Sequence, residues 1–455
     1  MARMTTTGGR DATTAVIPGR FALSVGKPDL PTPPGWNWLP VSSLARLESG
    51  HTPSRSRPEY WGGDVPWIGI RDATGNHGRV IEDTEQHTNQ LGIDNSSARV
   101  LPKDTVCLSR TASVGYVVVM GKPMATSQDF ANWVCGDGLN PHFLKYILLA
   151  ERETLHMYAT GTTHQTIYYP ELKAFHICAP DRKHQDAIAA TLFSLDKKVE
   201  NNRRMSERLE RLARLLFKEW FVDFNPVRAK AEGRQPTGLS AELSSLFPDS
   251  LDEHGVPQGW RSAPLDQIAD FLNGLALQKF PGTGIDDLPV IKIAELRSGV
   301  TPNSGRASKD IPVKYVVEDG DILFSWSGSL VQKIWTGGRG ALNQHLFKVT
   351  SITFPKWFHY YWVEHHLPTF QAIAASKATT MGHIQRHHLT EAKVVIGSSE
   401  FMAAANRVFS PLYAQIVAND LESRKLCELR DALMPKLLAG EARVRDIERL
   451  VGTAT

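Results

Sequence analysis

At 455 residues and a net charge of +3, the chain is long enough for two or three domains and carries no global field that would mark a nucleic-acid binder. Hydrophobic residues make up 42% and charged residues 22%, an ordinary globular composition that excludes a fibrous or wholly disordered chain. No apolar run approaches a membrane span, and the four cysteines (Cys107, Cys135, Cys178, Cys427) lack CxxC or zinc-ligand spacing. The expectation is a soluble cytoplasmic protein with reduced thiols and no membrane partner.

Residues 1–33, rich in Thr, Gly and Pro and without a signal-peptide core, are expected to form a disordered tail. From Gly35 the chain reads GWNWLPVSSLARLESG, and from Gly259 it reads GWRSAPLDQIADFLNG. At one offset Gly35, Trp36, Pro40, Ala45 and Gly50 meet Gly259, Trp260, Pro264, Ala269 and Gly274. DVPWIGIRD from Asp64 answers DLPVIKIAE from Asp287, and DTVCLSRTASVG from Asp104 answers DILFSWSGSL from Asp321. Further on, Gln128, Pro141 and Ile167 meet Gln344, Pro355 and Ile384. The order never breaks, so a unit of roughly 200 residues is duplicated. In each copy, β-branched runs at 65–70, 105–108, 116–120 and 290–293 read as strands. Residues 141–149 and 355–365 read as helices with proline in the first turn.

Each copy ends in a long helix. A heptad seam runs Leu192, Leu195, Val199, Asn202, Ser206, Leu209, Ala213, Leu216, Trp220, and the second copy answers with Phe409, Leu412, Ile416, Asn419, Ser423, Leu426, Arg430, Leu433, Leu437. Either stripe could be an amphipathic helix lying on its own domain. Its narrowness, and the Asn and Ser at equivalent seam positions, favour an antiparallel coiled coil, because a buried Asn fixes register. Pro435 is expected to end or kink the second seam. The fold class is therefore α+β: two similar mixed α/β domains separated by two long antiparallel coiled-coil helices, pseudo-twofold symmetric. The expected divisions are a tail at 1–33, a domain at 34–180, a helix at 181–226, a linker at 227–256, a domain at 257–397, a helix at 398–447 and a tail at 448–455.

The stretch LLFKEWFVDFNPVRAKAEGR from Leu215, GVPQGW from Gly255, GTTHQTI from Gly161 and LRDALMPKLLAGEARV from Leu429 resemble the specificity (S) subunit of type I restriction-modification systems, over about residues 34–447. The resemblance implies that each repeat is a target-recognition domain reading one half of a split double-stranded DNA site. It also implies that the helices form a spacer docking two methyltransferase (M) subunits, with restriction/translocase (R) subunits joining the complex.

Catalytic motifs are missing or incomplete. Asn140-Pro141-His142-Phe143 lacks the second proline of an amino-methyltransferase motif, and no FxGxG turn precedes it. Glu171–Lys173 and Glu391–Lys393 match half of a nuclease motif without its upstream Asp, and a helix start explains them better. No GxxxxGK[ST] loop exists. His365-His366 and His387-His388 lack metal-ligand spacing and an acidic partner set. A non-catalytic chain without cofactor or metal is expected.

Direct base readers are Arg, Gln, Asn and small hydroxyls on loops. The candidates are Ser54, Arg55, Arg71, Ser109, Arg110, Thr162, Thr163, His164 and Gln165 in the first copy. In the second they are Lys279, Arg297, Ser325, Trp326, Thr379, Thr380, His383, Gln385 and Arg386. Any one arginine could equally be a solvated surface charge, and the twin threonines a capping turn. Arg110 faces Trp326 in the match, so divergent tips on a duplicated scaffold point to an asymmetric, bipartite target. The alternative is a coiled-coil scaffold that binds no DNA.

Overall fold

The computed structural model describes residues 11–161, 165–376 and 382–445. Contacts divide the chain into two compact units, residues up to Val199 with those from Leu426 onward, and Glu200–Lys425. The division crosses both long helices, Arg182–Phe217 and Ser399–Leu438, of 36 and 40 residues. Packing thus assigns part of each helix to each unit, where the sequence suggested boundaries at the helix ends. Among the described residues no helix is long and apolar enough to cross a membrane.

In the first unit the main sheet orders the strands Ala45–Ser49, Phe130–Cys135, Val106–Ser109, Val117–Met120 and Val80–Ile81. Neighbours run antiparallel except for the last pair, which is parallel. The VCLS and VVVM runs are buried at every position because both sheet faces are covered. Val117 and Val119 enter one cluster with Leu108, Trp133 and Phe143, while Val118 and Met120 enter another with Cys107 and Ile68. Helix Pro141–Ala150 lies against the first cluster. Asn140 caps it, its Oδ1 accepting from the backbone of His142 (2.8 Å) and Phe143 (3.1 Å), and Pro141 occupies a first-turn position where a missing N–H costs nothing.

The leader departs from the disordered tail that its composition suggested. Leu23–Val25 is fully buried and pairs with Phe175–Ala179, whose other edge pairs with Asn37–Pro40. The anchor is the buried Glu151. Its carboxylate accepts from the backbone N–H of Arg20 (2.9 Å) and Ala22 (2.8 Å) and from the Thr154 hydroxyl (2.5 Å). Backbone donors that would otherwise be orphaned on burial are thereby satisfied.

The second unit repeats this plan. Its sheet orders Asp270–Asn273, Leu346–Thr350, Ile322–Ser325 and Gln332–Ile334, all antiparallel, the same neighbours as the first four strands above. A parallel pair, Leu288–Ile291 with Gly340–Leu342, answers Trp61–Ile68 with Ala125–Thr126. The repeated glycines have one cause: a Cβ at Gly50 would lie 2.0 Å from the Ser127 carbonyl oxygen, and at Gly274 2.2 Å from that of Asn343. Helix Lys356–Ser376 runs well past residue 365 and through Pro368. The LLFKEWFVDF block supplies core: Phe217, Trp220 and Phe221 are buried against Trp260, Phe401 and Phe409.

Within the second unit the long helices pair antiparallel, Asn202 meeting Asn419 while Phe217 meets Phe409. Asn202 Nδ2 donates to Glu422 Oε2 at 2.7 Å, and Asn419 Nδ2 donates to Ser206 Oγ at 3.3 Å, all three seam residues being buried. Ile416 is buried beside them, while Leu209, Leu216 and Leu412 are half-buried. Pro435 does not end its helix, which continues to Leu438. So near the C-terminus the lost bond leaves few turns to disrupt.

In the first unit, seam residues Leu195, Val199, Leu426 and Leu433 are half-buried, and the helix segments meet at Asp196. It accepts from Lys145 Nζ (2.7 Å), the Tyr146 hydroxyl (2.6 Å) and Arg430 (2.7 Å). Burial works against the Asp196 carboxylate, yet Lys145, Tyr146 and Arg430 together hold its pKa below the usual range. Lys145 is 1% exposed. Asp196→Asn strands that ammonium, and chemical denaturation should show the first unit destabilised by about 3–5 kcal/mol.

Candidate nucleic-acid interface

The first unit presents Arg55 on the loop after Ala45–Ser49. Its guanidinium carbon stacks 3.8 Å from the Trp61 ring centroid and 4.8 Å from that of Trp67, and one nitrogen donates to Gln86 Oε1 at 2.8 Å. Ser54 precedes it, its carbonyl accepting from the Trp61 indole at 3.2 Å. Arg71 is exposed on the short helix Ile70–Gly75, which starts where Asp72 Oδ2 accepts from the Gly69 backbone N–H at 2.9 Å. Gln165 is exposed, its carbonyl accepting from the Ala112 backbone N–H at 2.9 Å.

Arg110 and its counterpart Trp326 are half-buried and held alike. Arg110 donates to the Gln128 carbonyl at 3.1 Å and lies over the Tyr169 ring at 4.8 Å. The Trp326 indole donates to the Gln344 carbonyl at 3.1 Å and to Asn273 Oδ1 at 2.8 Å. Equivalent carbonyls therefore seat chemically different side chains. Near Trp326 lie His345 and His383, with ring centroids at 5.8 and 6.4 Å. Arg386 is exposed, donating to the Phe271 carbonyl at 3.2 Å, and Gln385 precedes it as an exposed N-cap residue. Lys279 and Arg297 are exposed at the ends of Leu277–Lys279 and Ile293–Ser298. Thr162, Thr163, His164, Thr379 and Thr380 lie outside the described residues.

Ser109 and Ser325 do not fit a reading role. Both are fully buried. Each closes the turn that follows its strand, Ser109 Oγ donating to the Ser113 carbonyl and accepting from the Tyr116 N–H at 2.9 Å. Ser325 Oγ donates to the Ser329 carbonyl at 2.9 Å and accepts from the Val331 N–H at 2.8 Å. Both faces of each sheet are covered, so these hydroxyls turn to local backbone partners rather than to solvent. Sequence reasoning also missed Trp61, Trp67, Gln86, Asn273 and His345; the tryptophans and Gln86 are far enough from Arg55 along the chain that no local motif links them.

The residues that resemble parts of catalytic motifs have structural partners. Asn140 caps its helix, and Glu171 stands in the first turn of Tyr169–Lys173. His366 Nε2 contacts the Lys393 carbonyl at 2.9 Å, which makes that nitrogen a donor. Contrary to the expectation of no acidic partner, Glu391 joins His387 and His388, their potential ligand atoms lying within 4.8 Å of one another. His388 Nδ1 accepts from the Gln385 backbone N–H at 2.9 Å, so a neutral ring carries its proton on Nε2, and neither nitrogen is a ready ligand.

Residues 33–211 match the family described as the type I restriction modification DNA specificity domain. The chain is 27% identical over 427 residues to the type I restriction enzyme MjaIX specificity subunit of Methanocaldococcus jannaschii, covering 91% of this chain and 95% of that protein. It is 24% identical to the HindI specificity subunit of Haemophilus influenzae, over 66% of this chain and 77% of that one. In fold it is similar to the crystal structure of a type I restriction-modification system S subunit from M. genitalium, with a TM-score of 0.53 at 18% identity, covering 90% of this chain and 98% of that one. Ser109→Ala and Ser325→Ala each leave a partly buried backbone N–H, that of Tyr116 or Val331, without its acceptor. Calorimetry should show a loss of about 1–3 kcal/mol for either, with DNA selectivity unchanged.

Proposed function

We propose that the chain is a specificity subunit of the type I restriction-modification kind, a reading supported by its similarity to that family, and that it reads an asymmetric, bipartite double-stranded DNA target. One half-site falls to the domain at 34–180 and the other to the domain at 257–397. The observation that carries this is the pair Arg110 and Trp326: two modules of the same strand order hold different side chains on equivalent carbonyls. A guanidinium and an indole offer DNA different chemistry, so the two modules favour different bases.

In this reading the exposed Arg55, Arg71, Gln165, Lys279, Arg297, Gln385 and Arg386, together with Thr162–His164, Thr379, Thr380 and His383, face the duplex. Methylation, translocation and cleavage belong to M and R subunits in the cytoplasm, and the chain needs no cofactor of its own. The long helices serve as the spacer between half-sites. Centres about one helical turn apart, roughly 34–36 Å, would let both domains address one face of the duplex.

The central helix offers the methyltransferase a docking face. Met205, Leu212 and Leu215 are 48%, 45% and 57% exposed, spaced by seven and three residues on one side of the helix. An exposed apolar stripe interrupted by Arg208 and flanked by Arg204 and Arg211 suits a protein partner better than water.

Three experiments test the proposal. Exchanging residues 34–180 for those of a relative should change one half of the methylated motif and leave the other intact; methylome sequencing that showed both halves changed, or neither, would refute the division of labour. Replacing Met205, Leu212 and Leu215 together by serine should cut co-purification of the methyltransferase at least tenfold without altering the melting temperature. A chain that binds its partners but shows no salt-dependent affinity for DNA in gel-shift assays would instead be a scaffold.

A further inference from the structure

We infer that the recess beside Arg55 reads the major-groove edge of a single G·C pair in the first half-site, an assignment that rests on the DNA-reading role proposed above. The recess has a volume of about 290 Å³ and is bordered by Arg55, Trp61, Glu85, Gln86 and His87. Arg55 is exposed, yet it is not a loose surface arginine.

Its guanidinium stacks on Trp61 at 3.8 Å and Trp67 at 4.8 Å, and the two indoles cross at 87° with centroids 5.2 Å apart. Both rings are pinned through their own N–H groups, Trp61 to the Ser54 carbonyl at 3.2 Å and Trp67 to the His51 carbonyl at 3.1 Å. Gln86 Oε1 takes one guanidinium nitrogen at 2.8 Å. A guanidinium has five N–H donors in a rigid fork, so this tether leaves others to engage a ligand. These partners are neutral and leave the positive charge intact. The long side chain has already lost much of its rotamer freedom, which lowers the entropic cost of a bidentate contact.

Two features select a base over a phosphate. A stacked guanidinium fork matches the N7 and O6 acceptors of guanine. Glu85 borders the same recess, where a carboxylate repels phosphate but accepts from the N4 amine of the paired cytosine. Arginine donors beside a carboxylate thus mirror the acceptor, acceptor, donor row that only a G·C pair presents. Gln86 and Trp61 act as positioning residues for Arg55.

The test is methylome sequencing of cells carrying the complete system with the wild-type chain, Arg55→Ala, Arg55→Lys, Gln86→Ala or Glu85→Gln. Arg55→Ala should relax one G·C position in one half of the motif by about ten- to hundredfold, with every other position retained. Arg55→Lys should fail to restore it, because an ammonium lacks the fork. Gln86→Ala and Glu85→Gln should relax the same position more weakly. An unchanged motif in Arg55→Ala would overturn the inference. So would a uniform fall in methylation with no position relaxed, which marks a phosphate contact, or relaxation at an A·T position. A wild-type chain that directs no bipartite motif would instead sink the functional proposal, so the two failures are distinct.

Discussion

The Asp196 carboxylate is the constraint on which the first unit depends. It gathers Lys145 and Tyr146 from one helix and Arg430 from the C-terminal helix, so a recognition module and both long helices share one buried charge. Lys145 would not tolerate that depth alone, and the arrangement holds because the carboxylate accepts from both cations and from the Tyr146 hydroxyl. At the matched places the second unit carries His359, Tyr360, Tyr413 and Ala213. Burial, aided by Lys356, pushes the His359 pKa down to about 4, so the ring stays neutral near pH 7 and needs no counter-ion. The duplicated joint has been kept in shape while its electrostatics were rewritten, and an arginine at the seam is tolerable only in the copy that holds Asp196.

A second constraint lies in the polar seam. Asn202, Ser206 and Asn419 are buried and bonded to one another or to Glu422. Apolar residues there would pack at least as well, but they would permit slippage. A shift by one heptad leaves both amides without partners, which is costly in a desolvated seam.

The same separation of frame from content governs the candidate interface. Gly50 and Gly274 permit a close crossing of strands, and Ser109 and Ser325 close equivalent turns, so change at these positions costs stability in the module itself. The residues they position can vary. A carbonyl acceptor accommodates a guanidinium as readily as an indole N–H, which is why Arg110 and Trp326 occupy one niche in two copies. Recognition chemistry can change there at little cost to folding.

The duplication, the long helices and the polar positions of their seam were legible in the sequence, because matched motifs and a seven-residue period are local and repeat. The divergence of the two tips was legible for the same reason. What tertiary structure alone decided were the contacts between distant segments. Glu151 turns a Thr- and Pro-rich leader into a sheet strand through donors 131 and 129 positions away. Lys145 finds Asp196 across 51 positions and Arg430 finds it across 234. Residue type named Arg55 and Ser109 equally as readers, but burial sets them apart, since Ser109 lies inside a covered sheet and Arg55 on an exposed loop. Periodicity reports which face is apolar, and only packing determines what covers that face.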